Sequence, residues 1–477
     1  MLVLAVLLTG LYYDGAQCRS LRRVRMRTIR ERVRPPDDGG SPHEVPVRSH
    51  RALMLARLGI LIVLCACGGD AAGPHPPPPP PPPPPPVTHR IGVRIAAGRG
   101  EFFDRTTSAV FVPRGANYIK LAPQIDWGGT PITYHSTFNV GFYDAPTVEA
   151  MLARMSQDGF NVVRVFLNGC CEVNSMGNPS GGLSAAYLAN LANFLTRAKS
   201  HGIAVMLTTD GLPLFGGYQN VLYQSCCAMF DADNMHTLTR QGLTAHAMMW
   251  RDIITGLKTQ GAPLEAIFAY ELFNEQSFLV NYPPLSLVSG TVVTGNGQSY
   301  DMASATSRQA MLDENLTYWS THVRDSIVAL DPSALVTVGF FQPQGPNPTR
   351  VGDPRLTKPY PAMALSSIDF VDLHAYAGEE LTMEQYAENF GEEAYPAKPV
   401  IMGEFGANTN SFGSANIAAQ ALIAWQASSC PHNFSGWLLW TWDIEAPAVG
   451  GFWTMTTDDS VVEKSLAPVN HADACSG

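Results

Sequence analysis

The sequence predicts an α/β fold, a (β/α)8 barrel in a single catalytic domain at residues 88–477, behind an export segment and a proline-rich linker. Two observations support this prediction. From about residue 100 onward, eight short runs rich in β-branched residues alternate with longer helical patterns. Polar and aromatic side chains follow most of these runs, as expected where the carboxyl ends of parallel strands meet at one rim of a barrel.

Eight candidate strands and six candidate helices carry the barrel prediction. The strands are 110–118, 161–167, 203–208, 267–274, 335–340, 370–374, 399–404 and 436–442. The helices are 146–157, 185–200, 246–259, 307–330, 383–390 and 417–428. Such alternation indicates a parallel sheet with helices packed outside it. A doubly wound open sheet is the alternative, but it usually has fewer strands and a glycine-rich phosphate loop after the first strand, which this sequence lacks.

Residues 1–53 precede the export segment and hold eight arginines between Arg19 and Arg34. We expect this stretch to lie outside the mature protein, with Met54 as the true start of translation. An arginine-rich segment that binds nucleic acid is the alternative interpretation.

Residues 54–67 read MLARLGILIVLCAC and predict a signal for export. Arg57 is followed by a short apolar run and then by small residues, the usual order in a signal peptide. The run is too short to span a bilayer. Its end, Leu64-Cys65-Ala66-Cys67, resembles the bacterial lipoprotein box, which implies lipidation of Cys67 and a membrane contact through that lipid alone. An ordinary secretory signal is the alternative, so we expect an outer-membrane lipoprotein at the cell surface or a secreted protein.

The linker at residues 68–87 contains eleven consecutive prolines at 76–86. Proline lacks the N–H donor that helices and sheets need, so this run should form a polyproline II spacer of roughly 34 Å. The first 87 residues carry 11 arginines and 6 acidic residues, which leaves the remainder with 20 basic and 35 acidic residues. An acidic body of this kind is a poor partner for nucleic acid or an anionic membrane.

Six of the nine cysteines lie in the predicted barrel domain. They are Cys170, Cys171, Cys226, Cys227, Cys430 and Cys475. An even number in an exported chain favours disulfides. The two adjacent pairs each follow a predicted strand and can meet each other, and Cys430 with Cys475 can hold the C-terminus, but the sequence leaves the pairing open. Adjacent cysteines do not offer the spacing of a metal site, and we predict no metal and no cofactor.

Two glutamates stand at the exits of predicted strands four and seven. Glu275 ends IFAYELFNE and Glu404 ends KPVIMGE. Because strands four and seven lie on opposite sides of an eight-stranded barrel, the two carboxyl groups can face each other across its mouth. Retaining glycosidases need two carboxyl groups about 5–5.5 Å apart, one protonated to assist the leaving group and one ionised to attack the sugar. We predict this chemistry.

Polar and aromatic residues at other strand ends are expected to support the two glutamates. Arg164 would favour the ionised form of Glu404, and Tyr376 would hydrogen-bond its other oxygen. Asn274 would bind a sugar 2-hydroxyl, and Trp440 would stack on the sugar ring. The remaining candidates for substrate binding or support are Asn117, Asp210, His374 and Trp442.

These motifs together resemble glycoside hydrolase family 5, the cellulase- and mannanase-like family of (β/α)8 retaining glycosidases. The resemblance covers roughly residues 100–445 and rests on Asn274-Glu275, His374-Ala375-Tyr376, Glu404 in IMGEFGA, Arg164 in NVVRVF, Arg114-Gly115-Ala116-Asn117-Tyr118 and GWLLWTWD. It implies that Glu275 is the general acid/base and Glu404 the nucleophile. It also implies a β-linked polysaccharide as substrate, either β-1,4-glucan or β-mannan.

One position departs from the family pattern, and one segment hints at the sugar. The family often has a histidine after strand three, where this sequence has Thr208-Thr209-Asp210. Either Asp210 replaces this histidine in binding substrate, or the loop has a different structure. Phe215-Gly216-Gly217 resembles a feature of the family's mannanases.

Several alternatives stay open at this level. They are a transglycosylase, an enzyme for another β-glucoside or a glycolipid, and a non-catalytic glycan-binding lipoprotein, although loss of one glutamate would be expected in the last. An esterase is disfavoured because no G-x-S-x-G follows a strand. The sequence does not separate internal from terminal cleavage. We expect a monomer that binds carbohydrate.

Overall fold

The computed structural model of the chain describes residues 89–125, 131–169, 174–340, 355–356, 362, 364–379, 381–391, 395–443 and 451–475. The predictions for residues 1–53, for the signal at 54–67 and for the linker at 68–87 lie outside the described residues, as do those for Cys170 and Cys171.

Strands and helices alternate along most of the described chain. The strands are β1 (Ile91–Ala96), β2 (Arg99–Asp104), β3 (Arg114–Tyr118), β4 (Leu121–Ile125), β5 (Pro131–His135), β6 (Val162–Leu167), β7 (Ala204–Thr209), β8 (Ile267–Glu271), β9 (Phe278–Leu279), β10 (Thr291–Val293), β11 (Ser299–Asp301), β12 (Val336–Thr337), β13 (Gly339–Phe340), β14 (Arg355–Leu356), β15 (Val371–His374), β16 (Val400–Phe405) and β17 (Phe434–Leu439). The helices are α1 (Ala145–Gln157), α2 (Ala185–Ser200), α3 (Tyr218–Leu222), α4 (Asn234–Leu238), α5 (Arg240–Thr259), α6 (Ala305–Val328), α7 (Met383–Phe390), α8 (Ala415–Ser429) and α9 (Thr457–Leu466).

The largest sheet is a parallel barrel in the order β12-β8-β7-β6-β3-β17-β16-β15-β13. Strands β12 and β13 are two halves of one predicted strand, separated by Val338. The first half pairs with β8 and the second with β15, so this strand closes the sheet on itself. The predicted (β/α)8 barrel is therefore confirmed, and each of the eight predicted strands contributes to it.

The barrel strands read as nearly continuous apolar runs because both of their faces are covered. All six residues of β6 and of β16 are buried. This is the usual pattern for parallel strands with helices outside and a packed interior. The few charged residues in such runs, Arg164 in β6 and Glu404 in β16, therefore face the barrel interior at a cost that other interactions must offset.

An N-terminal hairpin, β1 with β2, closes the lower end of the barrel. Ile91 and Phe102 pack in one buried cluster with Val162, Phe268 and Ile401, which lie near the starts of barrel strands. The hairpin was not predicted, because its alternation of apolar and charged residues is short. Its packing leaves the opposite rim, at the carboxyl ends of the strands, as the open end.

Helix caps explain most of the boundaries that the sequence pattern misplaced. Six helices begin after a serine, threonine or aspartate whose side chain accepts a backbone N–H in the first turn, namely Asp144, Ser184, Thr239, Ser304, Thr382 and Ser414. Helix α5 was predicted from residue 246 but starts at Arg240, because Thr239 caps it.

The segment that follows strand β8 contains a small hairpin. Strands β10 and β11 pair antiparallel. Asn296 accepts a hydrogen bond from the Gln298 N–H, and Gly297 takes a φ of 82°, which a glycine adopts without strain.

The structure contains two disulfides among the described residues. Cys430 is bonded to Cys475, which confirms the predicted attachment of the C-terminal segment. Cys226 is bonded to its neighbour Cys227, so the prediction that the two adjacent pairs join each other is wrong for this pair. Their adjacent positions on one loop bring these two sulfurs together.

Within the described part of the chain, no helix is both long and apolar enough to cross a membrane.

A pair of histidines, His246 buried and His236 partly buried, should make the fold sensitive to acid. His236 Nδ1 lies 2.9 Å from His246 Nε2. Burial lowers the pKa of His236 from its usual 6.5 to about 4, and burial together with the charge of His236 lowers the pKa of His246 well below 6.5. In the unfolded chain His236 therefore becomes protonated as the pH falls through about 6.5, whereas in the folded chain it becomes protonated only near pH 4. Stability is full above pH 6.5 and falls as the pH approaches 4, by as much as about 3 kcal/mol from His236.

Urea unfolding from pH 7.5 to pH 4.5 measures this effect. The variant His236→Asn should show a smaller fall in unfolding free energy than the wild type. His322→Asn, which removes an exposed histidine on α6, should leave the fall unchanged. Equal pH dependence in all three proteins would contradict the prediction.

Candidate active site

Arg164, fully buried in β6, organises the open end of the barrel. Its guanidinium has five N–H donors, and all five reach acceptors. Nε and Nη2 each donate to Glu271 over 2.7 Å. Nη1 donates to Asn117 Oδ1 over 2.8 Å and to Glu404 Oε1 over 2.7 Å, and Nη2 also donates to Asn274 Oδ1 over 2.7 Å. The predicted contact with Glu404 is thus present, and two predicted amides share the same cation.

Glu271, in β8, is the main partner of Arg164 and was not singled out in the sequence. It is fully buried, and both of its oxygens accept from the guanidinium in the two-pronged geometry that Arg forms with carboxylates. Gly339 lies against it, and a Cβ there would overlap Glu271 Oε1. The sequence did contain one indication of its role: Glu271 is a glutamate within an otherwise apolar strand, where a charge without a partner is energetically costly.

Glu404, at the end of β16, has partners on both carboxylate oxygens. Arg164 donates to Oε1, and the Tyr376 hydroxyl donates to Oε2 over 2.5 Å. His374 Nδ1 lies 3.5 Å from Oε2. Burial and the charge of Glu275 raise the pKa of Glu404, while the charges of His374 and Arg164 and the Tyr376 hydroxyl act in the opposite direction. The hydrogen-bond donors of this carboxyl group, Arg164 and Tyr376, therefore favour its ionised form.

Glu275 follows β8 and faces Glu404 across His374. The His374 Nδ1 atom lies 3.3 Å from Glu275 Oε1. One oxygen of Glu275 and one of Glu404 are within 4.8 Å of each other. The side chain of Glu275 is 17% exposed and that of Glu404 is 4% exposed. Glu275, four residues beyond the end of β8, also has a φ of 49°, in the left-handed region.

His374 is fully buried among acidic groups. Although burial lowers its pKa, the charge of Glu404, the hydrogen bond to Glu275 and the charge of Asp372 raise the pKa of His374 to about 9. The imidazole therefore stays cationic at neutral pH. Asp372, two residues earlier in β15, was not predicted as part of the site. Residues two apart in a strand lie on the same face, and this spacing could have indicated that Asp372 lies near His374.

An aromatic wall lies beside the glutamates. Trp440 packs against Phe166 with ring centroids 5.7 Å apart, and the Arg164 guanidinium lies 4.8 Å from the Phe166 ring. His135, at the end of β5, contacts Phe166 and lies 3.5 Å from Asp210. Asp210 therefore reaches the site beside a histidine that comes from a hairpin after strand β3, which the sequence pattern did not reveal.

Two predicted site residues lie elsewhere than the open rim. Trp442 is buried against Phe160 and beneath Arg154 of α1, on the outer side of the barrel, so its expected place in the site is wrong. Strand β17 ends at Leu439, and the alternation that would put Trp440 and Trp442 on one face does not continue beyond it. Asn117 is fully buried below the rim, where its amide donates to Gly403 and accepts from Arg164.

Two groups of carboxylate and histidine side chains at the site have ligand atoms close enough together to hold a metal ion. Among the described residues, Glu275, His374 and Glu404 form one such group, and Glu271, Asp372 and His374 form another. Arg164 and Tyr376 already occupy the oxygens of Glu271 and Glu404 that a cation would need. These residues are therefore arranged for ion pairs and proton transfer.

A comparison with protein-family models identifies the family of this chain. The sequence model of the cellulase family, glycosyl hydrolase family 5, matches residues 125–446. The chain belongs to glycosyl hydrolase family 5. It is accordingly a glycosyl hydrolase, and the resemblance drawn from Asn274-Glu275, His374-Ala375-Tyr376 and Glu404 is confirmed at the level of the family. A sequence search of curated proteins finds no match to this chain.

Solved structures of similar fold include several family 5 enzymes. An endo-1,4-beta-mannanase from Rhizomucor miehei is 18% identical with a TM-score of 0.54, over 80% of this chain and 99% of that one. An exo-beta-1,4-mannosidase from Opitutaceae bacterium strain TAV5 is 18% identical with a TM-score of 0.51, over 80% of this chain and 63% of that one. A family 5 mannosidase from Rhizomucor miehei is 14% identical with a TM-score of 0.50, over 80% and 97%. At these identities the likeness establishes the barrel fold.

Removing the Arg164 charge should unfold this family 5 hydrolase far more readily than removing a surface arginine. Arg164→Met leaves Glu271 and Glu404 buried without their cation, which should cost about 3–5 kcal/mol of unfolding free energy. Arg197→Met breaks an ion pair with Glu149 at the surface and should cost less than about 1 kcal/mol. Denaturant titration of both variants measures the difference. Equal losses would mean that the buried cation does not hold the site together.

Proposed function

We propose that this family 5 enzyme is a retaining β-glycosidase that works by double displacement. Glu404 is the proposed nucleophile and Glu275 the proposed general acid/base. The observation that carries the proposal is the approach of their carboxylate oxygens to within 4.8 Å. Retaining enzymes keep their two carboxyl groups about 5–5.5 Å apart, whereas inverting enzymes separate them by about 6.5–9.5 Å to admit a water molecule.

The surroundings of the two glutamates support this division of roles. Glu404 holds its oxygens toward Arg164 and Tyr376, two donors that favour the ionised form a nucleophile needs. Glu275 is more exposed than Glu404, since 17% of its side chain is accessible to solvent against 4% for Glu404. A carboxyl group at the rim can exchange its proton with solvent between the two steps, as an acid that becomes a base must do.

The proposed reaction then follows from these positions. Glu275 donates a proton to the leaving glycosidic oxygen while a Glu404 oxygen forms a bond to the anomeric carbon. Glu275, now ionised, takes a proton from water, whose oxygen displaces Glu404 and restores both carboxyl groups. Asn274 supports these steps, because its Oδ1 accepts from Arg164 and leaves its amide N–H groups to donate to the sugar 2-hydroxyl.

We propose β-1,4-mannan or β-1,4-glucan as the substrate, and mannan is the first to test. Several proteins of similar fold are named as mannanases or mannosidases, and Phe215-Gly216-Gly217 resembles a mannanase segment. Both glycines have a φ of 95°, and Gly217 precedes helix α3, so the segment makes a tight turn beside Asp210. The Trp440 ring offers an apolar face for the sugar C–H groups. The signal and linker predicted at residues 54–87 support action outside the cytoplasm.

Hydrolysis of β-mannan, β-glucan and aryl β-glycosides by the full chain tests the proposal. Glu404→Ala should abolish turnover of every substrate. Glu275→Ala should slow polysaccharide cleavage by roughly 10²–10⁴-fold, but should slow the first step much less for aryl glycosides, whose leaving groups need no proton. Glu265→Ala, an exposed glutamate paired with Lys199, is the control and should remain active. Glu404→Gln should also keep its melting temperature nearly unchanged, since a large loss would indicate a structural role.

The stereochemistry of the first product decides the mechanism. Proton NMR during early hydrolysis should show the β-anomer, and release of the α-anomer would rule out double displacement. Products longer than the substrate would favour a transglycosylase. Activity on glycolipids alone, or glycan binding without turnover, would overturn the polysaccharide proposal.

A further inference from the structure

Below the two glutamates lies a layer of buried charge that the proposed reaction does not use. It contains Glu271 in β8 and Asp372 in β15, both fully buried. One oxygen of each lies within 4.8 Å of the other and of a ring nitrogen of His374. Glu271 is held by Arg164 through both oxygens, so its role is accounted for. Asp372 has no such partner.

The contacts of Asp372 fix one oxygen and leave the other available. Oδ1 accepts the Gly403 N–H over 2.7 Å. Gly403 has no side chain that would prevent this, since a Cβ there would overlap the Asp372 carboxyl group. Oδ2 is buried and has no hydrogen-bond partner among the described residues. A buried polar atom without a partner is costly, and its persistence calls for an explanation.

One ring nitrogen of His374 also lacks a hydrogen-bond partner among the described residues. Its Nδ1 faces Glu275 Oε1 at 3.3 Å and Glu404 Oε2 at 3.5 Å. Its Nε2 is buried and likewise lacks a partner within the described chain. Of the three buried carboxyl groups nearest to this ring, Glu271 and Glu404 have both oxygens engaged, and Asp372 alone has one to spare. An oxygen of Asp372 and a ring nitrogen of His374 lie within 4.8 Å of each other, and Oδ2 and Nε2 are the atoms of these two groups that lack partners.

We propose that Asp372 is a positioning residue that binds His374 Nε2 and thereby keeps a hydrogen on His374 Nδ1, directed at Glu275 and Glu404. The proposal rests on the roles proposed for those two glutamates. When Nε2 and Oδ2 share a proton, Nδ1 carries its own hydrogen whichever of the two atoms holds the shared one. His374 is then a permanent donor between the two carboxyl groups.

The balance of charge in the barrel agrees with this arrangement. Two cations, Arg164 and His374, face four carboxyl groups, those of Glu271, Glu275, Asp372 and Glu404. Burial favours a neutral total. A proton shared between Nε2 and Oδ2 makes the pair of His374 and Asp372 neutral as a whole, whichever of the two atoms holds it.

The direction of the Asp372 pKa supports the same conclusion. Burial and the charge of Glu271 raise the pKa of Asp372 to about 8, against the opposing charges of His374 and Arg164 and the Gly403 N–H. His374, with its pKa near 9, faces Glu275, Glu404, Asp372 and Arg164. Both raised pKa values keep a proton available to Oδ2 and Nε2 at neutral pH.

Nitrogen NMR of the full chain labelled with ¹⁵N-histidine tests the proposal without any substrate. The His374 signals are assigned by their loss in His374→Gln. In the wild type, Nδ1 should remain protonated from pH 5 to pH 9, and any deprotonation should appear at Nε2. A bare Nδ1 with a protonated Nε2 would overturn the proposal.

Asp372→Asn should lower the pKa of His374 by about one pH unit, because a nearby negative charge is lost. The alkaline limb of kcat/KM should shift in the same direction. Asp331→Asn is the matched control, since Asp331 is a buried aspartate bound to His89 at the other end of the barrel, and it should leave the His374 titration unchanged. An unchanged His374 pKa in Asp372→Asn would also overturn the proposal. An inactive protein with the expected titration would instead reject the proposed function alone.

Discussion

The open end of the barrel depends on one buried cation. Arg164 places its five N–H donors on two glutamates and two asparagines that come from strands β3, β8 and β16 and from the turn after β8. Without it, three strands would carry unpaired charge or polar groups into a low-dielectric interior. Because the guanidinium is planar and permanently charged, it fixes the direction of each carboxyl group as well as its ionisation. The geometry of Glu404 follows from this, and Tyr376 and His374 complete it.

The barrel itself was predictable from the sequence because its signal is local. Parallel strands covered on both faces read as apolar runs, and helices 185–200 and 383–390 were placed with their observed boundaries. The parts that were missed depend on contacts between distant segments. Hairpin β1–β2 has little pattern of its own and is recognisable only by what it covers. The pairing of Cys226 with Cys227 and the end of β17 before Trp442 likewise depend on backbone geometry that residue types do not specify.

The site was predicted less completely than the fold, for a related reason. Residues at or just beyond the end of a strand, such as His374 and Glu275, can be recognised in the sequence because a polar group interrupts an apolar run. Glu271 and Asp372 lie within strands, and only the position of Arg164 and His374 in space gives them a role. His135 comes from a hairpin whose presence beside Asp210 no spacing rule predicts. Sequence thus reveals the groups at the rim, and the structure reveals the groups that hold them.

The sequence distance between the partners has a consequence for how the protein folds. Arg164 is 107 residues from Glu271 and 240 residues from Glu404. Contacts across such distances form late, because closing long loops costs conformational entropy. An incompletely closed barrel would hold Arg164, Glu271 and Glu404 as separate, unneutralised charges, so it could neither bury them nor bring Glu404 opposite Glu275. Closing the barrel and assembling the two glutamates at its rim are therefore the same event, so a partly folded chain does not contain the assembled site.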